Sequence, residues 1–435
     1  MVHSTVTLLN RSLRPSLIAK RFTNPLKSRR HQRERRGSML AVTVFTMFIL
    51  FAFLAFSIDS GYLSGAKAEM RRSADSASLA GCWELYNQLQ LGKTQSQASS
   101  AVKTTAAQYV AANRVVNSNM SVDTGSQTQD IQVGYLASLS SNAVISSDSS
   151  LPFMAVQVSL SKSAQKNGEV PFFFGKLFGR TGVDMNVSAT SVMAQRISGF
   201  QLPASGGGSI DILPFAIDQQ TWNDLCSPCS SNNTCNSNNT CNSNNNCNSN
   251  NTCSSGGTCD DNYFYDATCN SVRSGCDGLN EVNLYPQGTG CPGNRGTVDI
   301  GGSNNSTADI ARQICNGISK ADLDALGKPL VIGSGGTLTL NGDTGISAGV
   351  KDELASIIGE TRIIPVFSSV NGNGNNAQYT IVKWVGVRIL AVKLTGSMSS
   401  KYVMVQPAPI ITGNSVVSGS TVTSEGIYSL VLLAR

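Results

Sequence analysis

The chain has 435 residues, 40% hydrophobic and 14% charged, which is enough for two or three domains with packed cores. Its formal net charge of +6 comes from residues 1–58, which hold ten Lys/Arg and one Glu. Both histidines, His3 and His31, lie in that segment, so the remainder has no imidazole for a Ser-His-Asp triad or a zinc site. Most common hydrolase mechanisms are therefore excluded, although catalysis by carboxylates alone is not.

A long uncharged run follows a basic tail near the N-terminus. The run, residues 38–58, would form an α-helix about 30 Å long, which matches the hydrocarbon thickness of a bilayer. It is longer than the apolar core of a signal peptide and begins later, so we expect a retained membrane span. The tail, residues 1–37, predicts a cytoplasmic N-terminus and contact with anionic lipid rather than nucleic acid.

Helical spacing continues after the span into a predicted stalk over residues 59–117. A stripe of small and apolar residues recurs there at intervals of three or four, and its members are Ala66, Met70, Ala74, Ala77, Gly81 and Leu85. Such a stripe suits either a partner helix or this protein's own β domain, and both interpretations remain open. Gly92 predicts the end of the first helix, and the capping-box spacing Thr94 to Gln97 predicts the start of a second.

The period changes from helical to strand-like in residues 118–205, which predicts a β-rich membrane-proximal domain. The segments IQVGYL, PFMAVQVSL and VDMNVSATSVMA are alternating or β-branched runs separated by polar clusters. The last two are separated by residues 170–180, VPFFFGKLFGR, which are too aromatic for an ordinary exposed loop. We expect this segment to pack against the sheet, and a membrane-surface patch is the alternative.

Residues 206–435 predict an α+β domain with a mainly antiparallel sheet, interrupted by a Cys/Asn/Ser repeat at 226–259 that cannot bury apolar area. Helices are expected to begin at Ser306 and Ser319 and near Lys351. The predicted strands are Arg362 to Val370, Tyr379 to Leu394, Tyr402 to Gln406 and Ser420 to Leu433. Pro365 predicts that the first of these strands lies at an edge or carries a bulge.

Short motifs occur in a consistent order around the span: a basic-glycine start, a span ending in Ile-Asp-Ser-Gly, and an Ala-Asp-Ser-Ala-Ser-Leu-Ala-Gly stretch. Their residues include Gly37, Asp59, Ala74, Asp75, Ala77, Leu79, Ala80 and Gly81. Together with AVQVSL, PFFFGKLFG and VSATSVMA between residues 155 and 194, this order resembles the N-terminal region of TadG-like proteins of the Flp/Tad (tight adherence) pilus-assembly system. The resemblance covers residues 35–197.

The resemblance implies a single-pass protein of the bacterial inner membrane that takes a structural part in pilus assembly. Its implied partners are the lipid bilayer and other Tad pilus-assembly membrane proteins or pseudopilins, and it implies no enzymatic activity and no cofactor. The alternative is an envelope adhesin or ligand-binding surface protein that shares only this anchor. A carboxylate-dependent enzyme is a third class, for which the sequence has no motif.

Two departures from the family pattern affect these expectations. Related pseudopilins carry Glu five residues after the glycine as the mark for prepilin-peptidase cleavage, whereas this chain has Val42, so we expect the span to stay attached. Some TadG-like proteins end in a von Willebrand factor A domain with the metal motif Asp-x-Ser-x-Ser. The nearest string here, Asp299 to Ser303, has Gly301 in place of the middle Ser, so we expect a polar loop and no metal.

All twelve cysteines follow the span, on the side where disulfides form if the orientation is right. Six of them recur every six residues. The candidate disulfide cysteines are Cys226, Cys229, Cys235, Cys241, Cys247, Cys253, Cys259, Cys269, Cys276 and Cys291. A disulfide-stapled surface loop is the favoured interpretation; a soft-metal site and intermolecular cross-links remain open.

Overall fold

The computed structural model describes residues 36–125, 130–140, 143–225, 261–285, 295–301, 306–343, 345–372, 374–418 and 423–434. Most of the predicted basic tail and the whole Cys226 to Cys259 repeat lie outside these ranges, as does Cys291. The chain divides into two compact units, residues 1–57 and residues 58–435.

The helices predicted to begin near residues 94, 306, 319 and 351 are present, and one short helix over residues 219–225 was not predicted. The α-helices of the described ranges are α1 (Arg36–Gln90), α2 (Gln95–Ala112), α3 (Gln219–Leu225), α4 (Thr307–Asn316), α5 (Lys320–Leu326) and α6 (Lys351–Ser356). Thr94 and Gln97 form the predicted capping box of α2, because the Thr94 side chain accepts from the Gln97 N–H and the Gln97 side chain accepts from the Thr94 N–H. Ser306 and Ser319 are the N-cap residues of α4 and α5, and their side chains accept from the N–H groups of Asp309 and Asp322.

Strands occupy most of the remaining regular structure. The first group is β1 (Ile131–Leu136), β2 (Phe153–Lys162), β3 (Val170–Pro171), β4 (Gly182–Val183), β5 (Met185–Ala194), β6 (Ile197–Phe200), β7 (Phe215–Asp218), β8 (Tyr263–Asp266), β9 (Ser271–Ser274), β10 (Val282–Asn283) and β11 (Arg295–Val298). The second group is β12 (Leu330–Val331), β13 (Leu338–Asp343), β14 (Thr361–Asn371), β15 (Ala377–Lys393), β16 (Tyr402–Pro407), β17 (Ile410–Thr412), β18 (Ser415–Val417), β19 (Ser424–Glu425), β20 (Ile427–Ser429) and β21 (Leu432–Ala434).

The first unit contains the apolar part of α1. Its large side chains from Met39 to Phe56 are all exposed to solvent. Within the described part of the chain, α1 is the one helix that is long and apolar enough to cross a membrane. The span predicted at residues 38–58 therefore coincides with such a helix.

The second unit begins with the rest of α1, which packs with α2 on one antiparallel sheet. The strand order in this sheet is β1-β2-β5-β21, and β2 pairs with β5 over ten residues from Phe153–Ala194 to Lys162–Met185. Alternating residues of β2, among them Val156, Val158 and Leu160, face the two helices and are buried. The predicted period-2 pattern of this region is thus confirmed.

A closed ring of five strands forms the second core of this unit. β7, β14, β15, β13 and β11 pair in that order, and β11 pairs back to β7. β16 and β10 extend the sheet beyond β15. The register of β14 against β15 shifts between Val366 and Phe367, one residue after Pro365, which confirms the predicted bulge; β14 is paired on both sides, so it is not an edge.

One strand prediction is wrong. The segment Ser420 to Leu433 is not a single strand, because its described residues form β19, β20 and β21, which pair with β15, β17 and β5 respectively. Gly426 has φ of +68°, a left-handed backbone conformation that ends β19. The last strand thus joins the sheet of residues 131–194, so the chain crosses the domain boundary predicted at residue 206.

Candidate functional site

The membrane-proximal part of the second unit is organised around Asp59, the first residue after the apolar run. Its carboxylate accepts hydrogen bonds from three successive backbone N–H groups, those of Phe173 at 2.8 Å, Phe174 at 3.2 Å and Gly175 at 2.8 Å. These N–H groups lie at the start of a 3₁₀ turn, Gly175–Phe178, where the first N–H groups have no partner within the turn. Asp59 acts as a capping group supplied from another element.

We call residues 172–180 the aromatic loop. The Phe173 ring packs edge-on against Tyr62 of α1, with 4.8 Å between centroids. Phe173, Leu177 and Phe178 are nevertheless 61%, 79% and 75% exposed. The prediction that residues 170–180 pack against the sheet is therefore wrong for these three side chains, although Val170 at the start of the segment is fully buried.

The small-residue stripe of α1 packs against this protein's own domain. Ala74, Ala77 and Leu85 are fully buried in a core shared with α2 and with β2 and β5. At Gly81, an added Cβ would lie 3.0 Å from Val156 Cγ1 and 3.4 Å from Ala106 Cβ, so any side chain here would have to push these neighbours aside. Of the two predicted interpretations of the stripe, coverage of its own β domain is therefore the one observed.

The remaining motif residues lie along the same helix. Asp75 is half-buried and forms an ion pair with Arg71 at 3.9 Å, while Leu79 and Ala80 are also half-buried. The neighbouring Ser78 is buried, and its hydroxyl lies 2.8 Å from that of Ser191 on β5. Gly37 lies in the first turn of α1. Neither serine was singled out from the sequence, because a hydroxyl pair 113 residues apart leaves no local pattern.

A third attachment fixes the C-terminal end of α1. The Gln90 side chain donates to the carbonyl of Pro409 and accepts from Arg388 Nη2 at 2.9 Å. The buried Arg388 also donates to the Gly359 carbonyl at 2.7 Å and lies 3.7 Å from the centroid of the Tyr265 ring. This joint was not predicted, because its partners are about 270 to 320 positions away in the sequence.

A cleft of about 570 Å³ lies beside this joint. Its polar lining includes Arg388, Asp277, Gln406 and Glu425. Asp277 accepts from Gln406 at 3.0 Å, and Glu425 accepts from Trp222 Nε1 at 2.6 Å. Apart from Gln406 Oε1, which is buried without a hydrogen-bond partner among the described residues, these polar groups are engaged with protein, so the cleft is mainly part of a packed joint.

Three carboxyl groups, Asp261, Asp277 and Glu281, have raised pKa values near this cleft. Burial is the main cause, and it raises the pKa of Glu281 to about 7, with a further contribution from the charge of Asp261. The N–H groups of Asn262 and Tyr263 donate to Glu281 and oppose the shift. Glu281 consequently changes charge in the neutral pH range.

Lowering the pH from about 8 to about 5 is expected to raise the stability of the second unit against urea. The pKa of Glu281 in the folded protein lies above its ordinary value of 4.5, so protonation of this carboxyl stabilises the fold. The stabilisation is complete below about pH 4.5 and is lost as the pH rises through about 7. The midpoint can be followed by tryptophan fluorescence of the full chain in detergent. Glu281→Gln should flatten this slope, whereas Glu169→Gln, at an exposed position, should not; equal slopes in all three proteins would contradict the assignment.

The described cysteines differ in environment. Cys276 is disulfide-bonded, whereas Cys269 is an exposed free thiol, against its predicted pairing. Cys269 lies in the turn of the β8–β9 hairpin, where Arg273 Nη2 is 2.9 Å from its sulfur. Cys82 on α1 is buried and free, and burial raises its pKa to about 12. The other predicted disulfide cysteines lie outside the described residues.

Alkylation of the folded protein is expected to distinguish the thiols of Cys82 and Cys315, the latter being a third free cysteine among the described residues. Iodoacetamide should label the exposed Cys315 and leave Cys82 unmodified, because the thiolate is the reactive form and Cys82 is both buried and protonated. Peptide mass mapping of the full chain before and after denaturation measures the difference. Labelling of Cys82 at a rate similar to that of Cys315 in the native protein would show that α1 separates from the sheet.

The string that resembled a metal motif begins at Asp299, directly after β11. Burial, with the nearby charges of Asp309 and Asp322, raises the pKa of Asp299 to about 6. Asp309 and Asp322 both pair with Arg312 at 2.6 Å, so their charges stabilise the contact between α4 and α5. Residues 302–305 lie outside the described ranges. Among the residues described, no group of three or more His, Cys, Asp or Glu side chains could hold a metal ion.

These observations define a class: a domain that follows a membrane-compatible apolar helix and is fixed along the continuation of that helix. The chain matches two family models within this region. Residues 37–102 match the family described as putative Flp pilus-assembly TadE/G-like, and residues 80–192 match the family described as putative Tad-like Flp pilus-assembly. These two matches, which together cover residues 37–192, confirm the resemblance of this region to TadG-like Flp/Tad proteins. Searches among curated proteins and among solved structures each gave no match.

Proposed function

We propose that this protein is a membrane-anchored, non-catalytic structural component of Flp/Tad pilus assembly. The observation that carries the proposal is the position of the matched residues. They include nearly all of α1, all of α2 and most of three of the four strands of the sheet on which these helices pack, together with Asp59 and the aromatic loop. The part of the chain that resembles the pilus-assembly families is thus the part that joins an apolar helix to a folded domain.

The geometry supports a mechanical role for this region. From Asp59 to Gln90, α1 is attached by the aromatic loop, by the buried stripe around Gly81 and by the Arg388 joint. A helix fixed at three places over about 46 Å moves with its domain as one body. A displacement of this part of α1 would therefore be passed on to the rest of the second unit.

The proposed arrangement in the cell follows from the charge distribution. The basic tail of residues 1–37 would remain in the cytoplasm, and residues 59–435 would lie beyond the inner membrane. Other Tad pilus-assembly membrane proteins or pseudopilins are the proposed partners. The cysteine repeat of residues 226–259 would be a disulfide-stapled surface loop in that oxidising compartment.

A gene deletion in a piliated host tests the proposal. Cells without the protein are expected to lose surface pili while still making the major pilin, and expression of the wild-type chain in trans is expected to restore them. Surface pili can be counted by electron microscopy and pilin by immunoblot. Normal piliation in the deletion strain would overturn the proposal, and if adhesion were lost at the same time, the adhesin interpretation would replace it.

A further inference from the structure

We propose that the aromatic loop is a second membrane contact, which places Phe173, Leu177 and Phe178 in the interface between lipid headgroups and acyl chains. In this proposal, the partner of the exposed apolar surface is the lipid bilayer. The inference rests on the membrane anchoring in the proposed function and is independent of the role in pilus assembly.

The position of the loop along the chain carries the first step. The uncharged apolar run ends at Ile58, and the next residue, Asp59, binds three backbone N–H groups of the loop. Because a helix rises about 1.5 Å per residue, those N–H groups lie within about one helical turn of the end of the apolar run. When residues 38–58 cross a bilayer, the loop is consequently held at the boundary of its hydrocarbon core.

The side chains of the loop suit that boundary. Phe173, Leu177 and Phe178 are mostly exposed, although the loop backbone is well attached. Lys176 and Arg180 are exposed beside them, and cations of this kind interact favourably with anionic headgroups. Aromatic and aliphatic side chains next to basic ones are typical of segments that bind the membrane interface.

The size of the surface argues against a protein partner. A stable protein interface buries about 800 Å² on each partner. The aromatic loop has nine residues, and three of its large apolar side chains are strongly exposed. Interfacial insertion requires only a few such side chains, so the bilayer is the partner that a surface of this size can satisfy.

Site-directed tryptophan quenching tests the inference in the full-length chain. Phe178→Trp and a control, Val144→Trp, each add one tryptophan at an exposed apolar position, since Val144 is 81% exposed in the β1–β2 connection. Both variants are placed in vesicles of phosphatidylcholine and phosphatidylglycerol, with or without bromine on the upper acyl chain. We expect about a twofold loss of the added emission for Phe178→Trp and little for Val144→Trp.

Two further measurements make the test decisive. Circular dichroism of both variants should match the wild type, so that quenching reports position rather than unfolding. Lys176→Gln combined with Arg180→Gln should reduce the quenching of Phe178→Trp in vesicles that contain phosphatidylglycerol and change it little in phosphatidylcholine alone. Absence of quenching at position 178, or equal quenching at position 144, would overturn the inference. Either result would leave the outcome of the piliation experiment unaffected.

Discussion

Replacing Trp384 by alanine is expected to lower the free energy of unfolding of the second unit by about 3–5 kcal/mol. Trp384 lies on β15 and is fully buried; its Nε1 donates to the Ser198 carbonyl at 3.2 Å, and its ring packs edge-on against Phe200 on β6. The substitution removes the indole from the contact between β15, in the closed ring of strands, and β6. The cavity accounts for the loss, because the Ser198 carbonyl keeps its hydrogen bond from the Ile332 N–H at 2.7 Å.

The matched control is Trp83→Ala. Trp83 lies on α1 and is 43% exposed, so its removal should cost less than about 1 kcal/mol. Urea unfolding of the full chain in detergent, followed by circular dichroism, measures both changes. Equal destabilisation by the two substitutions would show that the buried contacts of Trp384 contribute no more to stability than the exposed ones of Trp83.

Replacing Gly81 by leucine is expected to destabilise the second unit by about 1–3 kcal/mol. The Cβ alone would lie 3.0 Å from Val156 Cγ1, and the rest of the leucine side chain would have to displace β2 or α2. The helix propensity of leucine is better than that of glycine, so packing and intrinsic propensity act in opposite directions here. Packing is expected to be the larger effect because the position is buried.

Gly65→Leu is the control for this prediction. Gly65 lies on the same helix, but an added Cβ meets nothing within 4 Å, so only the propensity gain of about 0.5–1 kcal/mol remains. The two variants should therefore change the urea midpoint in opposite directions. If Gly81→Leu were also neutral or stabilising, the stripe would not be packed against the sheet as the structure shows it.

The two substitutions also bear on function. Under the proposed mechanical role, Gly81→Leu should reduce surface piliation in a complemented deletion strain, because α1 would no longer move as one body with the sheet. Gly65→Leu should leave piliation near the wild-type level. Cells that express stable Gly81→Leu protein and still assemble normal pili would contradict a role for this packing in assembly.

Local features of the fold were predictable because they have local causes. The apolar run, the capping box at Thr94 and the alternation in β2 each follow from residues within one helical turn or a few strand positions. The bulge beside Pro365 follows from the missing N–H of proline. Such features depend on side-chain size, polarity and backbone hydrogen bonding within a short segment, so a single sequence is enough to read them.

The candidate site was predictable in its components and not in its contacts. Asp59 and the aromatic segment were both recognised as family-like motifs, but their hydrogen bonds join positions 114 to 116 residues apart. The sequence period of the α1 stripe was equally compatible with a partner helix and with the protein's own sheet. That choice depends on whether another surface of complementary shape, here Val156 and Ala106, is available in the folded chain.

The sequence by itself determined an apolar helix long enough for a membrane, a helical continuation, an α+β composition and the resemblance to Flp/Tad pilus-assembly proteins. Only the tertiary structure decided that the small-residue stripe is covered by this chain, that Asp59 holds the aromatic loop outward, and that β21 returns to the first sheet. The physical reason is the range of the interactions. Helix and strand periods are set by neighbouring residues, whereas packing and long-range hydrogen bonds depend on which distant surfaces the complete fold brings together.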